Sequence, residues 1–143
     1  MKKPQKLLRD IFGFDEFRLG QREIIDAVSS KKNVLAIMPT GGGKSLCFQL
    51  PALMSEGLTV VISPLIALMR DQVRGLQAAG VAAGALTSGN TEDETDAVFS
   101  EIYAGKLKIL YVAPERLASS AMQSALFRFH VTSLVVDEAH CIS

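Results

Sequence analysis

No stretch of this chain approaches the roughly 18 consecutive apolar residues that a membrane-crossing helix needs. Cysteine is scarce: Cys47 and Cys141 are the two in 143 residues, and they do not form a C-x-x-C pair. That spacing excludes a dithiol redox motif and a complete cysteine-built zinc site, and it fits a reducing compartment. There is no charge of one sign to spare, since 15 Lys and Arg balance 15 Asp and Glu. An independent nucleic-acid binder usually carries a basic excess to neutralise phosphates, so this chain is not expected to grip such a polymer alone. No apolar run follows Met1–Lys2–Lys3, which argues against a secretory signal. Internal repeats and low-complexity tracts are absent as well.

What is present is ordinary globular material, 48% hydrophobic and 21% charged, in an amount that suits one hydrophobic core. Along the chain, apolar spacing predicts helices over 4–12 and 19–30, with Leu7, Leu8 and Ile11 on one face and Ile24, Ile25 and Val28 on the other helix's stripe. A strand at 33–37 leads through a glycine-rich stretch into a helix near 44–55. Strands follow at 58–62, near 82–86, at 107–112 and at 132–136. Helices are expected at 65–78 and 91–104, and a helical stretch opens at Pro114. Gly13, Gly57 and Gly80 stand where helices should stop. This alternation predicts an α/β fold, a mostly parallel sheet flanked by helices. The strands 58–62 and 132–136 are almost wholly apolar, which predicts helices over both of their faces.

Residues 38–45, MPTGGGKS, lie between a predicted strand and a predicted helix. Consecutive glycines let backbone N–H groups turn inward, and the helix N-terminus adds its dipole at the same point. Thr40, Gly41, Gly42 and Gly43 form the cradle. Lys44 is placed to reach the β- and γ-phosphates of a nucleotide, and Ser45 offers a hydroxyl to Mg²⁺. Met38 stands at the first glycine of the usual G-x-x-x-x-G-K-[ST] pattern. Far downstream, LVVDE at 134–138 brings Asp137 to a strand end, where a carboxylate can hold Mg²⁺ through its water shell. Glu138 is placed to orient and deprotonate an attacking water. His140 is read as a satisfied loop histidine, a catalytic one or a metal ligand, and as a donor it can link this site to something beyond the chain. His130 and Cys141 do not complete a zinc ligand set around it.

Several segments in order resemble the RecQ family of DNA helicases, within helicase superfamily 2. They are GFDEFRLGQREII at 13–25, MPTGGGKSLCFQLPAL at 38–53, SPLIALMRDQV at 63–73, YVAPERL at 111–117 and DEAHCIS at 137–143. The resemblance implies a RecA-like P-loop NTPase domain, divided into N-terminal helices with an adenine-recognition motif (1–30) and a partial ATP-binding domain (31–143). It implies an ATP-dependent 3′-5′ DNA helicase motor that uses ATP and Mg²⁺. By that resemblance Phe14 stacks on adenine, Arg18 is its cationic partner and Gln21 reads the base edge. Leu19 replaces the family's usual proline, whereas Phe17 is expected in the core. Asp137 positions Mg²⁺, Glu138 positions the water, and His140 couples hydrolysis to DNA sensing. Ser63, and the turn Thr87–Ser88–Gly89, fall where family members touch the DNA backbone.

Partners implied are single-stranded DNA and duplex junctions, in DNA repair or recombination, with no membrane and no zinc in this segment. The expected location is the cytoplasm (nucleoid-associated in a bacterium) or a eukaryotic nucleus. The chain stops in the loop after its last strand, which predicts a truncated domain. The expectation is poor hydrolysis, no unwinding by the piece alone, and a destabilised fold with exposed edges. Two alternatives stand beside this reading: an RNA-helicase-type superfamily 2 ATPase, and a truncated nucleotide-binding protein without catalysis.

Overall fold

A computed structural model describes residues 4–30, 44–128 and 131–136. The expected strand at 33–37 lies outside those residues. The chain forms two compact units, residues 1–56 and 57–143.

In the first unit, α1 (Pro4–Asp10), α2 (Gln21–Ser29) and α3 (Leu46–Met54) pack together. Their core is Leu7, Leu8, Ile25, Leu46 and Leu50, with Ile11, Phe12 and Phe17 packed against it. Phe17 therefore takes the core position expected of it, and the Arg22 guanidinium lies over its ring at 5.7 Å. Helix α3 is apolar almost all round. From Leu46 through Ala52 every residue is buried, as a helix enclosed on all sides must be. Cys47 lies in this buried run, and burial pushes its thiol pKa up.

The second unit is a four-stranded parallel sheet in the order β2-β3-β1-β4. Its strands are β1 (Leu58–Ile62), β2 (Ala83–Leu86), β3 (Ile109–Val112) and β4 (Val131–Val136). Parallel neighbours need crossovers. These are α4 (Ile66–Ala78), α5 (Glu92–Tyr103), and a 3₁₀ turn at Pro114–Ala118 followed by α6 (Ser120–Arg128). One sheet face presents Leu58, Val60, Ile62, Leu86, Leu110 and Val112. Ile102 and Val98 of α5 and Met122 and Leu126 of α6 cover it. Alternation sends Val61, Ile109 and Tyr111 to the opposite face, and they too are fully buried. Helix α4 packs on β2 and buries Met69, Val73 and Leu76.

The α/β class with a parallel sheet flanked by helices is thus the fold observed. Gly13, Gly57 and Gly80 all take positive φ, the conformation that ends helices cheaply in glycine. Two details differ from expectation. Residues 120–128 form a full helix beyond the short helical stretch foreseen at Pro114. In addition, β1 is buried throughout, whereas β4 leaves Leu134 63% and Val136 47% exposed. Among the described residues β4 pairs with β1 alone and stands last in the strand order.

Candidate functional site

In the first unit, chemistry-bearing side chains gather where helices begin. Gly20 is the N-cap of α2 in the left-handed region, at φ 85°. This conformation suits glycine and turns the chain sharply from Arg18 into the helix. Gln21 follows it and is 3% exposed. Its Oε1 accepts the Arg18 backbone N–H at 2.7 Å. This bond holds the amide oxygen in place from its own loop. Phe14 is 53% exposed, and its N–H donates to the Leu8 carbonyl at 3.1 Å. Its ring is half open, in contrast to that of Phe17. Arg18 is exposed, and Leu19 is wholly so.

Lys44 and Ser45 form the entry to α3. The Lys44 carbonyl accepts the Cys47 N–H at 3.0 Å, and the Ser45 carbonyl accepts the N–H groups of Phe48 and Gln49 at 3.2 and 2.9 Å. Both residues are thus built into the first turn of a helix whose remainder is buried. Ser45 has helical dihedrals and its hydroxyl makes no capping bond. A hydroxyl not engaged in capping, beside a lysine at the positive end of a nine-residue helix, fits a phosphate–Mg²⁺ donor set. Thr40, Gly41, Gly42 and Gly43 of the cradle lie outside the described residues. So do Asp137, Glu138 and His140.

The second unit concentrates polar groups beyond the carboxyl ends of its strands. This is the side on which open α/β sheets bind ligands. Ser63, just past β1, is 1% exposed. Its N–H donates to Val112 at 3.2 Å, and its Oγ accepts the Leu65 N–H at 3.3 Å. Past β2, Thr87 is entirely buried. Its Oγ1 donates to Asn90 Oδ1 at 3.0 Å and accepts the Gly89 N–H at 3.1 Å. Asn90 Nδ2 in turn donates to the Ala85 carbonyl at 2.8 Å. Ser63 and Thr87 therefore spend their hydroxyls inside tight turns. Ser88 and Gly89 are the residues of the second turn that face solvent.

Two arginines reach that turn. From the 3₁₀ segment, Arg116 donates to the Thr87 carbonyl at 3.1 Å. From α4, Arg70 lies against Gly89 so closely that a Cβ there would meet its terminal nitrogen at 3.0 Å. Helix α5 starts nearby with a capping box, in which Thr91 and Glu94 exchange side-chain and backbone bonds at 3.1 Å each. Those bonds to Thr91, with a smaller contribution from the Arg70 charge, hold the Glu94 carboxyl below its ordinary pKa. The first-turn acids Glu92, Asp93 and Glu94 thus have a local, helix-stabilising reason. Sequence reasoning placed this turn but missed Arg116 as its anchor, because a contact across 29 residues leaves no trace in local spacing.

The parallel sheet flanked by helices is a fold of the RecA-like P-loop NTPase kind, and the comparisons with known proteins agree. The family model for DEAD/DEAH box helicases matches residues 18–143, and the chain belongs to that family. Within it, the chain sits with the RecQ-type helicases. It is 45% identical over 145 residues to the ATP-dependent DNA helicase RecQ of Haemophilus influenzae, across 100% of this chain and 23% of that protein. The RecQ of Pasteurella multocida is 48% identical over 137 residues, across 96% of this chain and 22% of its own length. The ATP-dependent DNA helicase Q1 of Rattus norvegicus is 43% identical, across 99% and 24%. The chain therefore spans about a quarter of the length of these relatives. Among solved structures, a hypothetical ATP-dependent RNA helicase from Sulfolobus tokodaii superposes with a TM-score of 0.77 at 21% identity, over 99% of this chain and 43% of that one. A helicase named MrfA, solved with DNA and AMPPNP, gives the same score and identity over 99% and 21%. These two support the fold alone. No helix among the described residues is long and apolar enough to cross a membrane.

Proposed function

We propose that the chain is the ATP-binding part of a DNA helicase motor. The observation that carries this reading is the Lys44–Ser45 entry into buried helix α3, in a chain 45% identical from end to end to a DNA helicase. Thr40, Gly41, Gly42 and Gly43 offer backbone N–H groups to the phosphates, and Lys44 neutralises the β- and γ-phosphates. Ser45 and Asp137 hold Mg²⁺, which when bound supplies charge compensation on the transferred phosphoryl group. Glu138 orients and deprotonates the attacking water, and His140 carries the state of the site towards DNA-contacting elements. Phe14 stacks on adenine beside Arg18, and Gln21, its amide held by Arg18, reads the base edge. Residues 1–30 then form the adenine-recognition segment and 31–143 the RecA-like part.

The exposed turn Ser88–Gly89 belongs to the face that meets the sugar–phosphate backbone. Single strands and duplex junctions are the partners, in repair or recombination, inside the cell or nucleus. The names of the aligned relatives favour DNA over RNA. The test uses the full gene product. Its ATP hydrolysis, followed by phosphate release, should rise at least about tenfold with single-stranded DNA and much less with RNA of the same sequence; an arginine finger alone is worth far more than that in related motors. Equal or greater stimulation by RNA would move the protein to the RNA-helicase branch. No hydrolysis with either polymer would favour a nucleotide-binding protein without catalysis.

A further inference from the structure

Residues 13–16 form an exposed loop. It is strung between Phe12 and Phe17, which both pack against the core of the first unit. Phe14 lies inside the loop with half its surface open, so packing does little to hold its ring. Two bonds fasten this stretch, and both come from α1. Gly13, at φ 75°, turns the chain back, and the Phe14 N–H then donates to the Leu8 carbonyl at 3.1 Å. One residue on, the Asp15 carbonyl accepts from Gln5 Nε2. A carbonyl has no proton to give, so the amide nitrogen of Gln5 and not its oxygen must face Asp15. Among the described residues no other hydrogen bond ties Phe14 or Asp15 to the rest of the unit. Helix α1 is itself seated in the core by Leu7 and Leu8, so it is a fixed mount for the loop. Gln5 lies outside the motif at 13–25, and its residue type alone assigns it no role.

We propose that Gln5 is a positioning residue for the nucleotide: by holding the Asp15 carbonyl it keeps the neighbouring Phe14 ring ready to stack on the purine of ATP. This rests on the stacking role proposed above for Phe14. A ring on a loose exposed loop must be ordered as the base arrives, and that ordering costs entropy at the moment of binding. A loop already fastened to α1 meets the cost during folding. Stacking uses the face of the base and does not distinguish one purine from another. Gln5 therefore acts on the affinity for ATP and GTP alike, whereas Gln21 acts on the choice between them. Gln5 acts through Phe14 alone, so the turnover number is independent of it.

The experiment measures steady-state hydrolysis of ATP and of GTP by the full gene product with saturating single-stranded DNA. Gln5→Ala is expected to raise the KM for ATP about threefold to tenfold, as for one lost hydrogen bond. The KM for GTP should rise by the same factor, with kcat unchanged. Gln5→Glu keeps the shape, and its charge suits the first turn of α1. At neutral pH it has no donor for Asp15, so its KM should rise as in Gln5→Ala while its melting temperature does not fall. Phe14→Ala should raise the KM at least about fivefold, as for a lost base stack. The double variant Gln5→Ala/Phe14→Ala should be no worse than Phe14→Ala, because the two residues act as one unit. An unchanged KM in both Gln5 variants, beside a raised KM in Phe14→Ala, would overturn the role of Gln5 and leave the stacking role standing. Losses that multiply in the double variant would likewise overturn it. An unchanged KM in Phe14→Ala would remove the stacking role itself, and this inference with it. Absence of hydrolysis by the unmodified protein would end both.

Discussion

Gln21 shows how one hydrogen bond holds a flexible side chain in one orientation. Free glutamine samples many rotamers, and holding one costs conformational entropy. Here the cost is met before any ligand arrives, since the Arg18 N–H fixes Oε1 at 2.7 Å and the residue is almost fully buried. Gln21→Ala should therefore raise the KM for ATP about tenfold, equivalent to about 1.4 kcal/mol for a lost oriented pair. It should also erode discrimination against GTP, while the turnover number changes little. Steady-state kinetics with both nucleotides measures this, and an unaltered ATP/GTP ratio would remove Gln21 from base reading. Residue types alone separate Phe14 from Phe17 poorly. The structure separates them by packing: Phe17 joins the α1–α3 core and Phe14 stays half open. Ser63 and Thr87 show the opposite limit. Their positions at strand tips suggest contact with a ligand, yet both hydroxyls close turns on their own backbone, a competition that short hydroxyl side chains enter readily.

At the level of elements, the sheet carries a flaw that is not required by its topology. Between Leu58 and Thr59 the β1–β4 register shifts, so that Leu58 faces Val131 and Thr59 faces Ser133. Thr132 is the extra residue of a bulge. The Oγ1 atoms of Thr59 and Thr132 are both buried without a hydrogen-bond partner. Thr59→Val keeps the β-branched shape and removes an unpaired hydroxyl. It should stabilise the fold by about 1 kcal/mol, the lower part of the range for a buried orphan group, read as a higher urea midpoint at constant m-value. A lower midpoint would mean that the hydroxyl has a structural partner, such as an ordered water. Elements with strong periodicity or glycine punctuation were legible: α1, α2, α4, β1 and the stops at Gly13, Gly57 and Gly80. Helix α6 was not, because its sequence SAMQSALFR carries small and polar residues where a clear stripe would stand. Its helical state is decided by Met122 and Ala125 meeting the rest of the unit, a tertiary effect.

Across the whole molecule, the residues proposed to serve hydrolysis lie in distant parts of the sequence. Lys44 and Ser45 belong to the unit of residues 1–56, and Asp137 to that of residues 57–143. The motif pattern names both groups as candidates, because phosphate cradles and strand-end carboxylates have fixed local requirements. It does not reveal which other residues support them, since contacts such as Arg116 to Thr87 are made between elements far apart in sequence. The account requires that Lys44 and Asp137 act on one ATP–Mg²⁺. Phosphate release by the full gene product, with saturating DNA, tests that most directly in Lys44→Ala and Asp137→Ala. Each substitution should cut turnover by on the order of a hundredfold or more, and the double variant should be scarcely worse than either alone, as expected for groups that serve one transition state. Near-normal hydrolysis in Lys44→Ala, or losses that multiply in the double variant, would contradict the account.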